Sequence, residues 1–567
     1  KPLEGLTLRS ALSTIFSVSK YNQYMPSTIG GANNPPSTGR GSANRVNGNS
    51  FNWLLENTAT YTKQFDQHSF TILAGYTAQK ATSNSVSLNA GPYPNDLIET
   101  INAAPGITSW GESVEAWSMI SYLGRLNYSY RDRLFLTATL RSDGSSRFGV
   151  NNRYAVFPSA AVAYKIIDEK NNPSTLPIDN LKVRLSYGRS GNNNIGNYSH
   201  LSNVSMGQYV LNNEIVSTAA VSLFNPNLGW EESAQYDLGI ETSFFNGKID
   251  LTADIYHRKS VNMLLNDVIP AITGFNSQLV NKGSVRNRGV EIGLNIRPIE
   301  RELVWETGFN IAFNRNKVLS TNQNGDRILS GNMDGRATNV TIVGKPIGQF
   351  YGFILDGVYS QADIDNPAVP KYNGATAGYP KYRDLNGDGI VSEILDYTDL
   401  GSPHPDFIYG MTNRWRYKNF DLALNLNGQV GGYIMNGMRQ TIDNLQGFFN
   451  IGKEWVNRWR SDENPGDGIH ALGPNAVHRV NDKLWLEKAS YLRITNITLG
   501  YQLPVKPQFV KSIRAYVTVQ NLLTLTDYTG ANPEGQAANQ NNTLVPGYDN
   551  ATYPLARTAS FGLNFQF

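Results

Sequence analysis

Apolar and polar residues alternate one by one in many short stretches of this chain. In "AQYDLGIETSFF", residues 234–245, every second residue is apolar as far as Ile240. Successive side chains of a strand point to opposite faces, so this pattern predicts a strand with one apolar and one polar face. Asn246-Gly247 follows, and both residue types tolerate the positive φ of a two-residue hairpin turn. Residues 248–257 repeat the alternation, which completes an amphipathic hairpin.

The same alternation recurs along the whole chain, in roughly sixteen segments of about ten residues each. Examples are "ISYLGRLNYSY", "LKVRLSYGR", "FDLALNLNG" and the C-terminal "ASFGLNFQF". About ten residues is the length of a tilted strand that crosses a bilayer. Because no stretch with helical periodicity is comparably strong, the sequence predicts an all-β fold.

The connections between these segments alternate between short and long. Short turns are predicted around 64–68, 131–132, 167–179, 246–247, 298–302, 418–419 and 504–510. Long connections are predicted at 18–50, 81–114, 191–231, 259–282, 316–404, 430–483 and 522–557, with a modest loop at 142–153. Aromatic residues beside the short turns resemble the interfacial girdle of a membrane barrel. We therefore predict a transmembrane antiparallel β-barrel in the outer membrane, with a long extracellular excursion at 316–404.

A soluble β-sandwich or propeller is the alternative that also alternates apolar and polar residues. That alternative would bury the second face, which carries Arg125, Arg184, Glu241, Asp254 and Glu291. Burying so many charges without partners is costly, whereas a water-filled lumen accommodates them. The charged faces therefore favour the barrel.

The composition excludes several other functional classes of protein. The 567 residues include no cysteine, which excludes disulfides, cysteine-ligated zinc and thiol catalysis. A net charge of +3 gives no electrostatic case for nucleic acid. The six histidines are scattered and form no His-x-x-x-His zinc pair. No apolar run approaches ~18 residues, so no transmembrane helix is predicted. We expect a binding or transport protein and not an enzyme.

Several longer motifs resemble those of SusC-type TonB-dependent transporters. They include "YLGRLNYSYRDRLFLTATLRSDGSSRFG", "NKGSVRNRGVEIGLNI", "VGKPIGQFYGF", "SYLRITNITLGYQLP" and "YPLARTASFGLNFQF". The resemblance covers nearly the whole chain and implies a 22-strand outer-membrane barrel filled by an N-terminal plug. It also implies TonB-energised import of oligosaccharides or peptides with a SusD-like surface lipoprotein. The terminal aromatic residue, Phe567, matches the family's barrel-assembly signal.

The family's plug domain and its TonB-contacting segment have no counterpart in residues 1–567. Roughly sixteen segments also leave about six strands of a 22-strand barrel unaccounted for. We therefore expect this chain to be the C-terminal portion of a transporter whose partners are its own N-terminal part, the lipoprotein, TonB and the lipid bilayer.

Two other functions remain open from the sequence. One is a TonB-dependent importer of iron chelates or cobalamin, which would share the barrel. The other is a secreted, calcium-dependent glycan-binding β protein. Co-purification with a SusD-like lipoprotein would separate the first alternative from the interpretation preferred above, and solubility without detergent would favour the second.

The run "DLNGDGIVSE", residues 384–393, resembles the first half of an EF-hand calcium loop. Its flanks are not helical, and the twelfth position is Leu395, which cannot bind calcium. The candidate calcium ligands are Asp384, Asn386, Asp388, the Ile390 carbonyl and Asp396, with Glu393 as a substitute for the last. The alternative is an ion-free turn in which Asn and Asp bond their own backbone. A structural calcium ion is thus a prediction, and no cofactor is required for transport.

Aromatic residues of the long connections are the candidate substrate contacts, because sugar rings stack on aromatic faces. The candidates are Trp110, Tyr433, Trp455 and Trp459. Loop packing or contact with the lipoprotein is the alternative role for each.

Overall fold

The computed structural model describes most of the chain in detail. The described residues are 4–29, 41–168, 177–205, 209–211, 214–216, 219–220, 222–275, 277–321, 327–333, 335–443, 452–471, 480–504, 509–534, 542–550 and 552–567.

Sixteen strands form one sheet in which each strand pairs with its neighbours along the chain. We number them β1 to β16: Leu6–Met25, Ser42–Phe65, His68–Ala90, Ile107–Tyr130, Leu134–Ser145, Tyr154–Ile167, Ile178–Asn192, Glu231–Phe244, Ile249–Val268, Ser277–Glu300, Leu303–Ser320, Phe407–Tyr417, Phe420–Val430, Tyr491–Leu503, Ser512–Thr526 and Thr558–Gln566. Neighbouring strands of this sheet, such as β1 and β2 or β15 and β16, pair antiparallel. This confirms the all-β fold and the count of roughly sixteen strands.

The short connections within the described residues lie where the sequence predicted them, whereas those predicted at 167–179 and 504–510 fall partly outside the described residues. The β12–β13 turn consists of 418–419, and Lys418 has a φ of 50°. In the β8–β9 turn, Asn246 and Gly247 have φ values of 58° and 72°, as their residue types predict. Residues other than glycine rarely adopt positive φ, so only a few residue types suit these turn positions. The position of each turn in turn fixes the register of its hairpin.

Three connections predicted as long are shorter in the structure because the strands continue. β1 ends at Met25 and β2 begins at Ser42, and the β3–β4 connection runs from 91 to 106. The predicted long connection at 259–282 shrinks to 269–276. In these extensions polar residues pair across the ladder, as Asn49 does with Asn84. The apolar alternation ends there while backbone pairing continues, so hydrophobic patterning alone places the strand ends too early.

Strands β12 to β16 carry most of their apolar side chains on one face of the sheet. One cross-strand row joins β12 to β16 through successive partners: Trp415, Leu422, Leu499, Val517 and Phe561. We call the side that carries this row the apolar face. Leu499 is 52% exposed and Phe561 is 70% exposed. A continuous row of exposed apolar side chains is what a strand presents to lipid.

The adjacent row, on the polar face, runs through Arg414, Ala423, Thr498, Thr518 and Ser560. Cross-strand partners lie on the same side of a sheet, so the two rows point in opposite directions. The polar face is the side that a water-filled interior would contact.

The chain divides into two compact units by its internal contacts. Unit 1 comprises 1–164, 186–234 and 260–282, and unit 2 comprises 165–185, 235–259 and 283–567. Unit 1 has a small core of Phe148, Phe157 and Trp230. Unit 2 contains most of the buried residues, and its three hydrophobic core clusters lie in its long connections.

The connections contain short elements of their own. Short strands are Val204–Ser205, Tyr209–Leu211, Glu214–Val216, Ala219–Ala220, Ile328–Ser330, Asn339–Thr341, Gln349–Gly352, Leu355–Val358, Lys371–Tyr372, Pro380–Tyr382, Ile390–Val391, Thr398–Gly401, Tyr433–Asn436, Leu486–Lys488 and Tyr548–Asp549. The α-helices are Gln361–Asp365 and Gly437–Ile442, and the 3₁₀-helices are Ile101–Ala103, Val150–Asn152, Ala271–Thr273, Lys453–Asn457 and Lys483–Trp485. In the part of the chain described, no helix has the length and apolarity needed to cross a bilayer.

Candidate functional site

The polar face of unit 2 carries ion pairs that link neighbouring strands. Arg184 of β7 lies between two carboxylates, with Nε 2.8 Å from Oε1 of Glu241 and Nη2 2.7 Å from Oδ1 of Asp254. Nζ of Lys182 lies 3.2 Å from the other oxygen of Glu241. Three of the charged residues that favoured the barrel are therefore paired across three strands. Ion pairs of this kind are compatible with a face that is in contact with water, because water solvates their charges.

Two cavities lie on the polar face near the short-turn ends of β10 to β15. One, of about 480 Å³, is lined by Glu306, Arg414, Arg416, Asp421 and Arg514 among others. The second, of about 500 Å³, shares Glu306 and Arg414 with the first. Arg514 donates from Nε to Oδ1 of Asp421 at 2.8 Å and from Nη2 to Oδ2 at 2.5 Å. The face thus offers charged, hydrated recesses suited to polar ligands or a polar protein segment.

At the opposite ends of these strands, three long connections fold together, and we call this structure the loop assembly. Its main core consists of Phe350, Met435, Trp455, Ala471, Trp485 and Tyr548. Phe350 belongs to the β11–β12 connection, Tyr548 to the β15–β16 connection, and the other four to the β13–β14 connection. A second core joins Phe353 and Tyr382 to Val480. Loops with shared apolar cores hold a defined shape, as ligand-binding loops require.

Charged residues inside the loop assembly are also paired. Arg439 lies 3.2 Å from Asp443, 3.1 Å from Glu487 and 3.4 Å from Glu454, each measured between a guanidinium nitrogen and a carboxylate oxygen. Burial alone would lower the pKa of Arg439, but hydrogen bonds to Glu487 and Asp443 raise it above its usual value. Glu487 also accepts from the Thr529 backbone N–H at 2.7 Å, which connects the second and third connections.

Two of the four predicted substrate-binding aromatics are buried inside the loop assembly. Trp455 is 1% exposed and Trp459 is 7% exposed. Trp455 packs edge-on against the His470 ring, with centroids 4.8 Å apart. Their positions support the packing role that the sequence left open as an alternative.

The other two predicted aromatics are accessible and belong to different units. Tyr433, in unit 2, is 41% exposed and begins a short strand that pairs with Leu486–Lys488. Trp110, on β4 of unit 1, is 76% exposed. Trp110 and Leu126 are an even number of residues apart, so their side chains lie on the same face of β4, and the Arg125 side chain lies on the other. Substrate binding by these four residues stays a prediction.

The "DLNGDGIVSE" loop bonds extensively to its own backbone. Asp384 accepts from the N–H groups of Gly387 at 2.7 Å and Gly389 at 2.9 Å. Asp388 accepts from the Ile390 N–H at 2.8 Å. Hydrogen bonds from Asn386 and from the Ile390 backbone hold the pKa of Asp388 below its usual value.

The last candidate ligands are engaged elsewhere. Asp396 is fully buried and accepts from the N–H groups of Leu385 and Ser392, each at 2.7 Å. Glu393 accepts from Arg336 Nε at 2.7 Å and from the Tyr372 hydroxyl at 2.9 Å. Among described residues, no three acidic or histidine side chains are grouped as metal ligands. The geometry favours the Asx-turn interpretation, and a bound calcium ion stays a prediction.

Sequence reasoning missed Asp482, a buried carboxylic acid at the centre of the loop assembly. It accepts from the Leu484 N–H at 2.8 Å and from the Tyr382 hydroxyl at 3.3 Å. Burial raises its pKa to about 7, although both hydrogen bonds act to lower it. An Asp before Lys-Leu-Trp is a recognisable N-cap signal for the 3₁₀-helix Lys483–Trp485, but nothing local indicates its burial.

Arg493, on the polar face of β14, was missed as well. It is 4% exposed, and its guanidinium contacts Glu534 and donates to Oδ1 of Asn532 at 2.9 Å. Arg493 thereby ties the β15–β16 connection to the inner side of the sheet.

Sixteen antiparallel strands with an exposed apolar face, a charged opposite face and folded long connections are the architecture of an outer-membrane β-barrel. The family profile described as "TonB dependent receptor-like, beta-barrel" matches residues 4–522. The chain belongs to this family of outer-membrane β-barrel proteins.

The chain is similar to curated relatives from two organisms. "TonB-dependent receptor P3" of Formosa agariphila is 33% identical over 533 residues, covering 92% of this chain and 52% of the relative. "TonB-dependent receptor SusC" of Bacteroides thetaiotaomicron is 32% identical over 468 residues, covering 79% and 44%. The chain therefore spans about half the length of these relatives. The resemblance to SusC-type proteins is confirmed.

The fold is also similar to a solved structure described as "Structure of the RagAB peptide transporter". The TM-score is 0.83 at 24% identity, covering 100% of this chain and 60% of the other. At that identity the likeness concerns the fold alone.

Proposed function

We propose that this chain forms the conducting wall and external loops of an importer for oligosaccharides or peptides. Import would be energised through TonB and would work with a SusD-like lipoprotein. The observation that carries the proposal is the combination of a charged, recessed polar face with a folded loop assembly at the long-connection ends of the same strands.

The polar face supports conduction of a polar substrate. Its cross-strand rows consist of Arg, Asp, Asn, Thr and Ser side chains, which exchange hydrogen bonds with water and with passing hydroxyl or amide groups. The cavities lined by Arg414 and Glu306 show that the face is not closed by its own side chains. A plug supplied by the preceding part of the protein would dock on this charged surface.

The loop assembly supports partnership with a surface lipoprotein. Three connections with shared cores present a shaped, preorganised surface, which lowers the entropic cost of binding a partner. The resemblance to SusC-type transporters, to which the relative from Bacteroides thetaiotaomicron belongs by its name, implies a SusD-like lipoprotein as the partner.

The edges of the sheet support a larger assembly. Among the described residues, β1 pairs only with β2 and β16 pairs only with β15. In β1, Leu12 is 68% exposed and Phe16 is 68% exposed. Unpaired backbone groups in lipid cost several kcal/mol each. Additional strands from the rest of the protein would pair with these edges.

Trp455→Ala tests the role of the loop assembly in uptake. Truncating a buried Trp costs about 3 to 5 kcal/mol, enough to loosen the three connections while leaving the sheet intact. We expect strongly reduced uptake of labelled oligosaccharides or peptides by cells producing the variant transporter, with normal amounts of protein in the outer membrane. The control is Val456→Ala, which truncates the neighbouring side chain, 66% exposed, and should transport normally. Normal uptake by Trp455→Ala would contradict the proposal.

A further inference from the structure

Two rows of positive side chains lie on the apolar face of β9, β10 and β11, next to the end of its apolar rows. In β10 and β11, Arg288 pairs with Arg315 and Arg286 pairs with Lys317. The neighbouring pair toward the short turns is Val290 with Phe313, which belongs to the apolar rows. The face therefore changes from apolar to cationic within one step of the ladder.

The third strand, β9, contributes a histidine to one row and a lysine to the other. Tyr256 lies beside Gly289, and Thr252 lies beside Gly293. This register places His257 next to Arg288 and Lys259 next to Arg286. The positive charges of Arg288, Arg286 and Lys259 all act on the His257 ring. The rows are thus His257, Arg288 and Arg315, and Lys259, Arg286 and Lys317; we call them together the basic patch.

Most of the basic patch has no counter-charge in the described structure. Arg315 pairs with Asp406, with Nη2 3.0 Å from Oδ1. For Lys259, Arg286, Arg288 and Lys317, no ion pair to a described acidic side chain is present. Like charges directly opposite each other destabilise a sheet, so two stacked rows are unfavourable without an anion to bind them.

The position of the basic patch along the strands shows which layer of the membrane it contacts. From Phe313 the strand rises about 7 Å to Arg315 and about 14 Å to Lys317, or roughly 5 and 10 Å along the membrane normal because barrel strands tilt by about 35 to 45°. The head-group region extends roughly 5 to 8 Å beyond each side of the hydrocarbon core. The Arg315 row therefore lies at head-group level on the side that contacts lipid, and the Lys317 row lies at the outer edge of that level. By contrast, the apolar faces of β12 to β16 carry no lysine or arginine among their described residues.

We propose that the basic patch binds the phosphate groups of a phosphorylated lipid at the long-connection end of the sheet. Cationic clusters at a membrane surface attract anionic head groups, and arginine is suited to bidentate contact with phosphate. The bound phosphate would offset the repulsion between the rows and anchor the strands below the loop assembly. The inference rests on the membrane placement of the sheet and not on which substrate is imported.

The test uses the intact transporter purified from membranes and depleted of lipid. Native mass spectrometry would titrate it with phosphorylated lipid A, the same lipid after phosphatase treatment, and inorganic phosphate. We expect at least tenfold tighter binding of the phosphorylated lipid, and loss of that preference in the triple variant Lys259→Gln, Arg286→Gln, Arg288→Gln. The matched control, Lys453→Gln, Lys483→Gln, Lys488→Gln, removes three exposed charges from the loop assembly and should keep the preference.

A charge-preserving variant separates binding from folding. Arg286→Lys with Arg288→Lys should retain most of the preference if the patch acts through its charge. Equal affinity for the two lipids in the wild type, or equal loss in the control variant, would overturn the proposal. Tight binding of inorganic phosphate alone would also overturn it, since the site would then recognise a free anion. Uptake assays remain independent, so failure here leaves the proposed transport function standing.

Discussion

Asp482→Asn should remove a pH dependence from the stability of the loop assembly. Asp482 is 4% exposed, and burial raises its pKa from an ordinary 3.8 to about 7. The difference corresponds to about 4 kcal/mol between the protonated and the ionised folded loop, an upper limit because local opening admits water. Asn keeps the oxygen that accepts from the Leu484 N–H but cannot ionise.

The sign of the change in stability with pH follows from the raised pKa of Asp482. Well below pH 3.8 the carboxyl is protonated whether the loop is folded or unfolded, so its burial carries no ionisation penalty. Between pH 3.8 and about 7 the unfolded carboxyl ionises while the folded one keeps its proton, so stability falls as pH rises. Above pH 7 the whole penalty is present, and Asp482→Asn should be more stable than the wild type by up to about 4 kcal/mol.

Hydrogen exchange measured by mass spectrometry can follow the pH dependence of stability within the loop assembly. Peptides covering 349–358 and 480–488 should lose protection in the wild type as pH rises from 5 to 8, after correction for intrinsic exchange rates. Asp482→Asn should show little change across that range.

Asp467→Asn is a control with the opposite sign. Burial alone would raise the Asp467 pKa, but hydrogen bonds from the His470 and Ile469 N–H groups, both 2.9 Å long, hold it below its usual value. This variant should therefore lose stability at neutral pH. An Asp482→Asn variant with the same pH slope as the wild type would refute the reasoning.

Two further predictions concern the calcium loop and the sheet edges. Replacing both Asp384 and Asp388 with Ala removes three hydrogen bonds to backbone N–H groups, so protease should cut 360–400 faster; metal analysis of the wild type decides whether an ion is lost as well. Absence of any divalent ion, with unchanged uptake in the double variant, would support the plain turn. Expressed alone, residues 1–567 should not form a heat-resistant barrel, because β1 and β16 leave edges unpaired in lipid. A stable closed barrel from these residues alone would contradict that account.

The membrane strands could be predicted from the sequence because two constraints act on each residue. In the β12–β13 hairpin, Trp415 and Leu422 must face lipid, while Arg416 and Asp421 face water. Apolar and polar residues therefore alternate strictly, and the break in the alternation locates the turn at 418–419. Where the strands extend past the lipid, as at Asn49 and Asn84, neither face has to be apolar. The alternation of apolar and polar residues therefore ends there.

The loop assembly could not be predicted in the same way. Its core joins Phe350, Trp455 and Tyr548, which are far apart in sequence and follow no period. Which aromatic residue is buried and which is exposed depends on that packing, so Trp455 and Tyr433 could not be told apart beforehand. The unusual chemistry of Asp482 likewise arises from burial by distant residues such as Tyr382.

The proposed function is active import through an outer-membrane barrel driven by TonB. It can be tested by the uptake of a labelled oligosaccharide or peptide pool into cells that carry the intact transporter, with and without TonB. We expect saturable uptake that disappears when TonB is deleted, while surface binding of the same substrate persists. Uptake that continues at the same rate without TonB, or passage that rises linearly with concentration, would contradict it.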